Sequence, residues 1–137
     1  MGIGIKRRKI LVFGNPLLPE DSLPIRLMGR LKKMFPDIDF VEFDPNDNIE
    51  YEGRTLEIID TVADINKVMI ITDIDSIKMP PRYSMHDFDL GSTLKLLKKM
   101  GYLDKVRIFG MPMRIREDDA LSQLCVLISG SSAPAKV

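Results

Sequence analysis

Apolar residues along the chain fall into short unbroken runs separated by stretches with helical spacing. "KILVF" at 9–13, closed by Gly14, has the pattern of a strand buried on both faces. Leu23, Leu27, Leu31 and Met34 recur at helical spacing, with Arg26, Arg30, Lys32 and Lys33 on the opposite side, until Phe35-Pro36 stops the helix. "DFVEF" at 39–43 alternates as a second strand, and "RTLEIIDTVADI" at 54–65 places Leu56, Ile59, Val62 and Ala63 on one face of an expected second helix. "KVMIIT" at 67–72 is expected to be a buried third strand running into Asp73. A helix over "STLKLLKKMG", a strand over "KVRIFG" and a last helix over "EDDALSQLCVLI" complete the order.

Strands alternating with helices imply an α/β fold: a three-layer α/β/α sandwich around a mostly parallel twisted sheet of four to five strands, because parallel neighbours need crossover connections. The 137 residues suit one domain over 1–137, with 129–137 expected as a flexible tail. Ligands of such sheets gather beyond the carboxyl ends of the strands. That rule selects the loops at 14–22, 44–53, 73–87 and 110–116.

Charge narrows the partners. Twenty basic and 20 acidic residues balance to zero, which gives no general attraction for nucleic acid or an anionic membrane. No apolar run approaches the roughly 20 residues that span a bilayer, so a cytoplasmic location is expected. The basic start "KRRK" precedes an apolar run too short for a secretion signal. Cys125, the single cysteine, excludes an internal disulfide and is expected to be a buried, inert thiol.

The selected loops carry two kinds of chemistry. "FGNPLLPEDSLPIR" sets Glu20 and Asp21 at the start of the first helix, where Asp21 or Ser22 could serve as a cap. Asp73 ends the third predicted strand, and His86, the one histidine, follows in the next loop. Two carboxylates and an imidazole gathered at one edge form a ligand set for zinc, nickel, cobalt or iron(II) with positions left open. Glu20 and Asp44 are spare carboxylates near the same edge. A phosphate-binding glycine motif and a serine-hydrolase elbow are both missing from the sequence.

"ILVFGNPLLPEDSLP", "VMIITDID" and "SMHDFDL", in this order, resemble the hydrogenase maturation endopeptidases, which remove the C-terminal extension of nickel-iron hydrogenase large subunits. The resemblance implies that Asp21, Asp73 and His86 are the catalytic, metal-contacting residues. It also implies that the nickel arrives in the large-subunit precursor, so that no permanently bound cofactor is expected. The partner would be that precursor's C-terminal tail. Three departures stand out: Pro24 replaces a usual glycine, "DPNDN" replaces a Gly-rich segment, and only 12 residues separate Asp73 from His86. The last implies that an edge strand common in the family is lost or severely shortened. A non-catalytic hydrogenase-assembly chaperone on the same fold is the alternative. A receiver-like signalling domain ranks lower, because Arg114 stands where a lysine is needed.

Overall fold

The computed structural model describes residues 7–15, 17–43, 47–76 and 90–132. Five strands form one sheet: β1 (Arg8–Val12), β2 (Ile38–Glu42), β3 (Thr55–Val62), β4 (Met69–Ile71) and β5 (Lys105–Pro112). Their order is β2-β1-β3-β5-β4, with β4 alone antiparallel. Helices α1 (Leu23–Met34) and α3 (Glu117–Ser129) pack on one face and α2 (Leu90–Lys99) on the other, giving the α/β/α sandwich expected.

Each helix is placed by its apolar stripe. Leu23, Leu27 and Leu31 of α1 join Leu121 and Leu124 of α3 over Ile10, Val12 and Ile59. Leu90, Leu94 and Leu97 of α2 cover Ile58, Val106 and Ile108 from the other side. Lys32 and Lys33 in the last turn of α1, like Lys98 and Lys99 in that of α2, sit where the helix dipole favours cations.

Two expectations are corrected. Residues 54–65 do not form a helix: Thr55–Val62 is the central strand, paired with β1 and, over its whole length, with β5. Burial on both faces removes the alternation that marks a half-exposed strand, and Ile58, Ile59, Thr61 and Val62 are β-branched residues suited to a sheet. The predicted third strand is β4, a three-residue edge strand. Only residues 63–68 lie between β3 and β4, too few for a parallel crossover, so the chain turns back through Asp64 at φ 65° and runs the other way. The segment between Asp73 and His86, where the sequence implied a lost or severely shortened edge strand, lies from residue 77 onward outside the described residues.

The link from β2 to β3 is a short 3₁₀ turn, Ile49–Glu52, instead of a helix. Ile49 buries itself beside Phe13 and Phe43, whose rings stack with centroids 5.0 Å apart. The start of the expected tail is anchored. Arg8 donates to the carbonyl of Ser131 at 2.9 Å and Arg107 to that of Ser132 at 2.7 Å, while 133–137 lie outside the described residues.

Candidate functional site

β1, β3 and β5 run parallel, so their carboxyl ends share one edge of the sheet. At the end of β1 the chain passes Gly14 and Asn15, whose Oδ1 accepts the Leu17 N–H at 2.9 Å, then enters a 3₁₀ turn over Pro19–Asp21. The Asn15 N–H donates to the Asp21 carbonyl at 3.0 Å, folding the turn back over the strand end. A Cβ on Gly14 would stand 2.7 Å from that carbonyl oxygen and 2.9 Å from Ile25 Cγ1, so the close approach requires glycine.

Asp21 is thereby buried, at 8% exposure. Ser22 is the N-cap residue of α1 but makes no side-chain cap bond; its hydroxyl instead donates to the Pro19 carbonyl and accepts from Arg26 Nε. The side-chain cap expected of this segment is therefore not made at Ser22.

Asp60 is the residue that sequence reasoning missed. It lies near the end of β3, opposite Gly110 of β5, at 4% exposure. One of its oxygens accepts the Thr61 N–H at 2.8 Å. Desolvation holds its carboxyl well above the usual carboxylate range, and the negative charge of Asp21 pushes in the same direction. Strand alternation sets Asp60 on the face of Ile58 and Val62, the face that α2 covers. Reading 54–65 as a helix hid it; the signal available was an acid inside a β-branched run, "EIIDTV".

Asp73 lies elsewhere. Because β4 is antiparallel, the chain leaving Ile71, which pairs with Ile108, heads toward the amino ends of β3 and β5. Thr72 accordingly lines a cavity of about 220 Å³ with Thr55, Lys105 and Val106, the first residues of those strands. Asp73 is exposed there and accepts the Asp75 N–H at 3.0 Å. Asp21 and Asp73 therefore sit at opposite ends of the sheet, and the expectation that they share one edge is corrected. His86 and Asp44 lie outside the described residues. Among the described residues no three His, Cys, Asp or Glu side chains converge on a metal position. Met111 is fully buried in the core, and Cys125 is half-buried, with burial raising its thiol pKa.

Asp21 and Asp60 are both buried, and the charge of one raises the pKa of the other, so a cation at that edge would offset their repulsion. The edge is also reached by α2: its last turn leads into the start of β5, so its first residue, Leu90, lies toward the carboxyl end, four positions after His86 in sequence.

No family model matches the chain, and no curated protein matches it. Among solved structures, an uncharacterized protein from Wolinella succinogenes is similar in fold, with a TM-score of 0.52 at 15% identity over 91% of this chain and 94% of that one.

Proposed function

We propose that this protein is an endopeptidase that trims the C-terminal extension of a nickel-loaded hydrogenase large-subunit precursor in the cytoplasm. The observation that supports the reading is the burial of both Asp21 and Asp60 toward the carboxyl edge, where the charge of Asp21 acts on Asp60. With Asp60 taken as the strand aspartate, two residues before the end of β3, the motif order of the resemblance becomes regular. Twenty-five residues then separate it from His86, and they include edge strand β4, the element that the spacing from Asp73 left no room for.

In this reading the ion reaches the site as part of the substrate. Asp21 and Asp60 offer it hard oxygen donors, and His86 is the third residue assigned to it. Peptide hydrolysis needs a water oxygen added to the scissile carbonyl, one water proton passed to the departing amide nitrogen, and a new carboxylate left on the large subunit. A bound divalent ion lowers the cost of the first step by polarising the carbonyl or the water. A carboxylate oxygen left free of the ion can take the proton from the water and pass it to the amide nitrogen.

The test is incubation of a nickel-loaded precursor with the purified protein, with mass spectrometry of the released tail. Wild type should cleave it, and Asp21→Ala or Asp60→Ala should reduce the rate at least a hundredfold, a loss typical of removing a group that acts in the transition state. Retention of an uncleaved precursor complex by the wild type would instead identify an assembly chaperone.

A further inference from the structure

We propose that the loop joining β5 to α3, residues 113–116, grips an acidic stretch of the protein's peptide partner through Arg114 and Arg116. The identity of that partner rests on the processing reading above; the binding chemistry does not. Six of the eight arginines among the described residues engage carboxylates, from Arg8 and Arg107 on Glu57 to Arg26 and Arg30 at the start of α3. The two without an ion-pair partner among the described residues, Arg114 and Arg116, are both exposed and share one loop.

Their surroundings hold them ready. Burial alternates along the loop: Met113 and Ile115 are half-buried, Ile115 against the α1–α3 core, while Arg114 and Arg116 face solvent. Arg116 has extended backbone, φ −67° and ψ 141°. Arg114 lies in a bend two residues before it, so the two Cα atoms stand no more than about 7 Å apart, a spacing that suits two acidic side chains at positions i and i+2 of an extended peptide. Of the three acids that follow the loop in sequence, Glu117 pairs with Arg26 and Asp118 with Arg30, leaving Asp119 exposed.

The loop also adjoins the carboxylate pair. Pro112, just before it, pairs with Val62, two residues beyond Asp60, so Arg114 lies within roughly 14 Å of Asp60. An extended peptide covers that distance in about four residues. A cationic centre of the substrate at the carboxylates and an acidic stretch four residues away would orient the chain across the edge. Two cations on a molecule of zero net charge are too few to hold a polyanionic nucleic acid.

The experiment is an NMR titration of ¹⁵N-labelled protein with three extended 12-residue peptides that differ at one motif: Glu-Ala-Glu, Gln-Ala-Gln or Lys-Ala-Lys. The Glu peptide should shift the Arg114 and Arg116 side-chain signals and bind about tenfold more tightly than the Gln peptide at low salt. The doubly charge-reversed variant, Arg114→Glu with Arg116→Glu, should lose the Glu peptide and take up the Lys peptide, which also shows that the variant is folded. Equal affinity of wild type for the Glu and Gln peptides, or no shift of either arginine, overturns the proposal. Failure of precursor cleavage would remove the processing reading and leave this result standing. Cleavage that ignores charge reversal in the loop would do the opposite.

Discussion

At the scale of single residues, Asp60 and Gly14 carry the site's physics. Burial and the neighbouring Asp21 raise the Asp60 pKa, so the folded protein holds its proton more tightly than the unfolded chain does. Stability then falls as pH rises from the unfolded carboxylate pKa, about 4, toward the raised folded value. Asp60→Asn keeps the shape and removes the ionisation. In metal-free protein, urea titrations between pH 4 and 8 should show the variant gaining on the wild type as pH rises; parallel curves would mean that Asp60 bears no such strain. Gly14→Ala would press a methyl group against the Asp21 carbonyl, at a cost of about 1–3 kcal/mol and with displacement of Asp21 itself. Thermal melts should register the loss, and cleavage should drop further than stability alone explains.

Between elements, the strongest polar tie is Glu57, inside β3 at 3% exposure. Arg8 of β1 forks onto it at 2.6 and 2.8 Å, and Arg107 of β5 reaches it at 2.9 Å. The same two arginines bind the carbonyls of Ile128, Ser131 and Ser132, so the C-terminal end of α3, where a helix favours cations, is fastened to three adjacent strands. Glu57→Ala leaves two largely buried guanidinium groups without their counter-charge and should cost about 3–5 kcal/mol in chemical denaturation. Replacing Arg8, Glu57 and Arg107 together with Met should recover much of that loss, because the desolvation cost of all three charges disappears with them. A triple variant as unstable as Glu57→Ala would show that the carbonyl contacts of the two arginines matter more than their ion pairs.

For the whole molecule, the reversal of β4 separates the two ends of the sheet. Asp21 and Asp60 share the carboxyl end, whereas Asp73 orders a turn at the amino end. Asp73→Ala should therefore leave precursor cleavage within about twofold of wild type, while Asp60→Ala removes it. Equal losses from the two substitutions, measured in the same assay, would contradict this division of the molecule.

What local pattern determined by itself was extensive. The strand at residues 8–12, the amphipathic α1 with its Phe35-Pro36 stop, α2, β5 and α3 all follow from apolar spacing and chain breakers, because each buries a face whose periodicity is written in adjacent residues. Asp21 was legible as an acid in the turn after the first strand. The direction of β4, the strand identity of 55–62 and the partnership of Asp21 with Asp60 were decided only by tertiary structure. A strand buried on both faces shows no alternation, and helix and strand patterns then coincide over "LEIIDTVA". Parallel or antiparallel pairing depends on what connection the chain can make between neighbours, and on which strand later inserts between them. Neither is a property of any local window, and together they determine which carboxylates share an edge.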